Sequence, residues 1–369
     1  MRPFRLLCLA VVTATVFLGA SAFAGTKYAV GTCQPHLTSY STISQAVSSV
    51  PPGSTIEVCP GNYPEQVLIA QPLTLEGVSS AGSSAAAVTV PSGGLTQSVN
   101  SPSCIPFGTL NYQILVQSTG PVDIRNLVVD GTGASGICTA GIYYQDSSGT
   151  VSNVSARNQS SGIGFAILAE TIASAAQAVT VENSVVRDFG YRGVDANSTG
   201  GPLTTNIKAN TIESIGNESA GIYASHLAAG TIQSNVISTG ANNGGNVAGF
   251  FLYYSTVDVT ANTIIAGPSN ENNDYAFLVE GGSVQIRRNT IDAGGQIGFD
   301  LQNTATDSVV EQNTIVNSAT AVSGCALTQG YTVSGNTIID AAVGVQISSG
   351  NVSTPNKFYA AAATTAPCP

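Results

Sequence analysis

The chain has no tryptophan, one methionine and two histidines, and only 11 of its 369 residues are Lys or Arg. Two histidines without any Cys-x-x-Cys pair exclude the usual structural zinc sites. Against 21 acidic residues, 11 basic ones give a net charge of −10, so a surface able to neutralise many phosphates at once is excluded and nucleic acid is not an expected partner. After the first 24 residues no stretch reaches the ~18 consecutive apolar residues of a membrane-spanning helix, so no membrane insertion is expected. Helical periodicity is almost missing as well. What remains is rich in glycine, asparagine, serine, threonine and β-branched residues, a composition of short strands and tight bends.

Residues 1–24 read as an export signal. Arg2 and Arg5 precede an apolar stretch from Leu6 to Ala20, and Ala22-Phe23-Ala24 is a small-x-small cleavage site. The expected product is secreted, extracellular or periplasmic according to the host. Its six cysteines, Cys33, Cys59, Cys104, Cys138, Cys325 and Cys368, allow three disulfides in 15 connectivities. Pairing in sequence order, Cys33–Cys59, Cys104–Cys138 and Cys325–Cys368, is the expected arrangement.

One pattern organises the rest. Asn126, Asn153, Asn183, Asn210, Asn235, Asn262, Asn289, Asn313, Asn336 and Asn356 follow at intervals of 27, 30, 27, 25, 27, 27, 24, 23 and 20, and all but Asn153 have Val, Ile or Phe two positions on. A period of 20–30 residues with β-branched runs describes a β-solenoid. Asparagine suits it twice: it tolerates a left-handed bend, and stacked amides bond from coil to coil. A second register precedes each asparagine, as in Gly141-Ile142-Tyr143-Tyr144, Gly162-Ile163-Gly164-Phe165, Gly193-Val194-Asp195-Ala196 and Gly221-Ile222-Tyr223-Ala224. Each coil then has three strands, one opening on glycine and one on either side of the Asn bend. The expected fold is all-β: a right-handed parallel β-helix of about ten coils over 25–358, with three parallel sheets around an aliphatic core. A helix near 41–50, with Ser41 as N-cap and Ile43, Ala46, Val47 and Val50 inward, is expected to cover the first coil. Residues 78–109 break the period as an irregular insertion, and 359–369 form an Ala/Thr/Pro tail.

The segment from Tyr40 to Ile69 resembles the entry to the β-helix in the pectin-lyase-like superfamily. Gly61-Asn62-Tyr63-Pro64-Glu65 is similar to the Gly-x-Tyr-x-Glu turn that opens pectin methylesterases. The resemblance implies the β-helix and a carbohydrate-related role, with a binding groove along the outer face of the first sheet. It does not extend to catalytic motifs. The Gln-Asp, Asp-Phe-Ile-Phe-Gly and Gly-Arg-Pro-Trp stretches of pectin methylesterases are missing, as are the Asn-Thr-Asp and Gly-His-Gly stretches of polygalacturonases.

Period-2 alternation puts Tyr143, Asp195, Tyr223, Phe251, Tyr253 and Gln302 on that outer face as candidate substrate-binding residues, since aromatic rings stack on sugars and polar groups bond their hydroxyls. Glu280 and Asp300 fall on adjacent coils, offset by two residues, which sets their backbones roughly 8 Å apart and fits the acid/base spacing of an inverting glycosidase. His226, at the end of the Tyr223 strand, is a third candidate for proton transfer. No cofactor is required. Calcium is the one conceivable ion, at Glu271 and Asp274 in an oxygen-rich loop. The expected partner is a polysaccharide or cell-surface glycan, either bound and cleaved by a lyase or hydrolase or only bound by a noncatalytic β-helix. The sequence does not set the oligomeric state.

Overall fold

The computed structural model of the protein describes residues 25–79, 85–214, 220–240, 248–267, 275–325 and 328–368. The leader at 1–24 and the calcium candidates Glu271 and Asp274 lie outside them. Nearly every strand pairs in parallel with its counterpart one coil away, giving about 11 turns of a right-handed β-helix. The first sheet stacks Cys138–Gln145, Ile163–Thr171, Arg192–Ser198, Ala220–Ser225 and Ala248–Tyr253. The second stacks Val122–Arg125, Gly149–Ser152, Gln177–Glu182 and Leu203–Lys208. The third carries the residues after the asparagine bend, among them Thr211–Ser214, Val236–Thr239 and Thr263–Ile265. In later coils single strands turn corners unbroken, as in Tyr275–Arg287 and Ile297–Glu311.

The two registers fit one another inside the helix. A Cβ added to Gly221 would stand 2.6 Å from Cγ2 of Ile237, and one on Gly249 would stand 2.7 Å from Cγ2 of Ile264. Those isoleucines are the third residues of the Asn-x-Ile units, so glycine opens the first-sheet strand because the isoleucine fills the space a side chain would need. Phe250, Phe277 and Phe299 stack along the axis at centroid spacings of 4.7 and 5.1 Å and are fully buried.

The asparagines form a ladder, but in a different phase from the one expected. From Asn210 through Asn235, Asn262, Asn289 and Asn313 to Asn336, each side chain donates from Nδ2 to Oδ1 of the next asparagine at 2.9–3.0 Å, ending on Asn356. The left-handed bend is made by the residue before: Ala209, Ser234, Ala261, Arg288 and Gln312 have φ of 54–57°. In earlier coils Asn126, Asn153 and Asn183 themselves hold the bend at φ of 58, 52 and 50°, one position ahead of the ladder. There Ser184 aligns with Asn210, and its backbone N–H donates to the Asn210 Oδ1. Asparagine therefore serves the two purposes in two different places.

The lid helix spans Ile43–Ser49, and its N-cap is Thr42 rather than Ser41: the Thr42 hydroxyl accepts from the Gln45 N–H. Glu65, the last residue of the Gly-x-Tyr-x-Glu turn, accepts from the Ile43 and Ser44 N–H groups at 2.9 and 2.8 Å and anchors the helix to the first coil. Tyr63 of the same turn donates to the Cys59 carbonyl at 2.7 Å.

All three disulfides join the expected partners. The break in period is shorter than 78–109, because Ala86–Thr89 is a regular third-sheet strand. The irregular part folds back as a strap: Ser98–Asn100 pairs antiparallel with the start of Thr109–Gln117, and Cys104 fastens the turn to Cys138. The tail begins within the last coil, where Ala363–Thr365 pairs with the first sheet. Among the described residues no helix is long and apolar enough to cross a membrane.

Candidate functional site on the first sheet

Register fixes two outward rows along the first sheet. One runs Tyr143, Leu168, Asp195, Tyr223, Phe251, Leu278, Asp300, Ser323, Gln346, and the other, two residues on, runs Gln145, Glu170, Asn197, Ser225, Tyr253, Glu280, Gln302. All six substrate-binding candidates and both carboxyl candidates belong to these rows, yet they do not share one environment.

The front of the face is covered. The strap lays a small apolar core over it, in which Cys104, Leu110 and Tyr112 pack on Tyr143, Phe165 and Leu168. Tyr143 points away from the coil as alternation requires, but it is fully buried and closed to a ligand. Its hydroxyl donates to Glu170 Oε2 at 2.6 Å. Glu170 also accepts from the Ser101 hydroxyl and from the Ser103 N–H and hydroxyl at 2.8–2.9 Å, which clamps the strap to the sheet. Asn197 donates to the Ser103 hydroxyl at 2.9 Å, the last strap bond to this row among the described residues.

Asp195 lies beside the strap and is also fully buried. One oxygen accepts from Arg192 at 2.5 Å, and Oδ1 has no hydrogen-bond partner among the described residues. Arg192 packs its guanidinium 3.3 Å from the Tyr223 ring centroid and 4.4 Å from that of Tyr191. Burial pushes the Asp195 carboxyl up to about 6 against the pull of Arg192, and the Glu170 charge adds to the push. An acid whose pKa rises on folding binds its proton more tightly in the folded state, so it favours folding at low pH and loses that contribution as pH climbs from about 4 to about 6. The stability of the native protein relative to Asp195→Asn is expected to fall over this window. Denaturant titrations at pH 4, 5, 6 and 7 measure it, and a relative stability that stays flat or rises with pH would contradict the burial argument.

Beyond Asn197 the face opens. Tyr223 and Phe251 meet edge to face at 5.0 Å, Phe251 and Tyr253 at 6.3 Å, and Tyr253 and Tyr254 at 4.8 Å. His226 is exposed at the bend after Ser225, with φ 53°, its ring 5.0 Å from Tyr253 and its Nδ1 2.8 Å from the Ser225 hydroxyl. It extends the aromatic cluster rather than joining the carboxyls. One coil on from Phe251 and Tyr253 stand Leu278 and Glu280, and one further coil brings Asp300 and Gln302. The diagonal offset of Glu280 and Asp300 is the one expected. Gln302 donates to Asp300 Oδ2 at 2.6 Å. Burial raises the pKa of both carboxyls, and for Glu280 the Asp300 charge adds to it.

Glu170 was not legible as a site residue. Gly162-Ile163 imitates the glycine register, whereas the pairing aligns Ala166, not Gly162, with Gly193, and so brings Leu168 and Glu170 outward. Glu170 and Asp195 thereby repeat the diagonal of Glu280 and Asp300, but the strap closes over Glu170. No cluster of three or more His, Cys, Asp or Glu arranged for a metal occurs among the described residues.

These three parallel ladders and their outward rows define a right-handed parallel β-helix. Residues 192–358 match the family described as right handed beta helix region. Among solved structures, the chain is similar to the GH136 lacto-N-biosidase from Eubacterium ramulus, with a TM-score of 0.63 and 14% identity over 91% of this chain and 68% of that one. It is similar also to the DFA-IIIase from Arthrobacter chlorophenolicus A6, with a TM-score of 0.52 and 15% identity over 90% of this chain and 94% of that one. At such identities the likeness is one of fold. No curated protein sequence matches the chain.

Proposed function

We propose that the protein is secreted and binds a neutral polysaccharide or cell-surface glycan along the open part of the first-sheet face. The observation that carries this reading is the cluster of Tyr223, Phe251 and Tyr253 on two successive coils, partly exposed and continuous with Glu280, Asp300 and Gln302. Stacked rings offer apolar surface to sugar faces, while the carboxyl and amide groups bond hydroxyls. A neutral ligand is favoured because Arg192, the cation beside the strip, is already committed to Asp195, and the remaining charges there are negative. Three disulfides suit an oxidising compartment. The β-helix relatives, a lacto-N-biosidase and a DFA-IIIase, lend the carbohydrate reading support through their names.

A second reading, hydrolysis, is favoured by the carboxyl pair itself. Glu280, half-buried with a raised pKa, is suited to protonate a leaving-group oxygen, and Asp300, held by Gln302, to activate a water from the other side. A panel of neutral and uronate polysaccharides, scored for binding by titration calorimetry and for new reducing ends, tests both. Tyr253→Ala is expected to weaken binding about tenfold, ~1.4 kcal/mol. If the protein is hydrolytic, Glu280→Gln abolishes turnover and leaves binding in place. Undiminished affinity in Tyr253→Ala would remove the ligand from this face.

A further inference from the structure

The open face has limits at both ends. At the front, the strap fills the outer side of the sheet as far as Asn197, which bonds the Ser103 hydroxyl at 2.9 Å. Arg192 and Tyr223 stand beside that edge, locked together by the stacked guanidinium and the Asp195 ion pair. At the back, Asp300 pairs with Ser323, which puts Cys325 one coil on from Gln302, and Cys325 is tethered to Cys368. The tail next to this tether crosses the following coil, where the Gln346 amide donates to the Pro367 carbonyl at 2.7 Å. Five coil spacings separate Asn197 from Cys325, so the bay is ~24 Å long.

A groove open at both ends accepts the middle of a long polymer; one walled by packed protein does not, because the chain would have to pass through the strap's apolar core. We infer that this face is a bay for the end of a neutral glycan chain, with the terminal sugar seated against Ser103, Asn197, Arg192 and Tyr223. The inference rests on the proposed reading of the face and adds its selectivity, for chain ends and short oligosaccharides over internal segments. Asn197 and Ser103 offer an amide and a hydroxyl to the last sugar's hydroxyls. Tyr223, whose ring is backed by Arg192, offers a rigid stacking plane. Arg192 has a side chain only 12% exposed and an acidic partner, so it leaves no free charge for a uronate at this position.

The test measures stoichiometry with size-fractionated linear neutral glycans, a glucan, a xylan and a fructan, titrated into the full chain. Chain-end binding predicts one protein per glycan chain at every length, so the protein bound per gram falls tenfold as the chain is lengthened tenfold. Protein bound in proportion to chain length, with binding still lost in Tyr253→Ala, would overturn the end-binding inference and leave the groove reading standing. Binding that survives Tyr253→Ala, or no binding to any of the three glycans, would overturn both. Asn197→Ala is expected to lower affinity for chain ends several-fold while one protein per chain persists, with near-ultraviolet circular dichroism unchanged as evidence that the strap stays closed. Unchanged affinity in a folded Asn197→Ala would remove the terminal sugar from this wall.

Discussion

Replacing Asn289 with alanine is expected to cost about 3–5 kcal/mol of stability, among the largest effects of any single ladder substitution. The Asn289 Oδ1 accepts from both the backbone N–H and the Nδ2 of Asn262 at 2.9 Å, and its own Nδ2 donates to the Val259 carbonyl and to Asn313. Truncation strands the Asn262 N–H and the Val259 carbonyl in a dry bend, and each buried orphan costs about 1–3 kcal/mol. Arg288 sits at φ 56°, a conformation unfavourable by about 1–2 kcal/mol for a side-chain-bearing residue, which the ladder offsets in the native protein. Thr290→Ala, one position along and exposed, is the control and is expected to change stability by less than about 0.5 kcal/mol. Denaturant titration of the two variants decides the matter; equal midpoints would mean that the ladder contributes register and not stability.

Asp195→Ala is expected to cost about 3–5 kcal/mol for a different reason, because it leaves the nearly buried Arg192 without its counter-charge. The double change Arg192→Met, Asp195→Leu removes both charges and keeps an apolar side chain against the Tyr223 ring. It is expected to recover most of that loss, since exchanging a buried ion pair for packed apolar groups is often neutral or stabilising. A double variant no more stable than Asp195→Ala would show that the stacking of Arg192 on Tyr223, not the charge balance, holds this part of the face together.

The repeat was legible because it carries strong local chemistry. A bend that needs either an asparagine or a buried amide, and a strand that must open on glycine to clear an isoleucine, leave marks at fixed spacing. The phase was harder to read. Asn126-Leu127-Val128 and Asn289-Thr290-Ile291 look alike, yet Asn126 occupies the bend and Asn289 follows it, so Val128 faces outward while Ile291 is fully buried. Direction was therefore readable within a coil, whereas accessibility was not. Tyr143 and Asp195 point outward as alternation demands, but a strap with no periodicity of its own lies over one, and the Arg192 pair seals the other. The capping role of Glu65 was hidden for a related reason: the turn motif was visible, but the helix end it serves lies about 22 residues earlier in the chain.

The parallel stacking has a further consequence. Strand pairing joins each coil only to the two beside it, and the strap and the tail tether are attached to coils on opposite sides of the open face. Duplicating or deleting one coil between Ser225 and Gln302 would therefore change the length of that face by a single increment of ~4.8 Å while leaving both attachments intact. Ligand length in such a protein is adjustable by counting, in whole steps, without redesign of any contact that defines the ends.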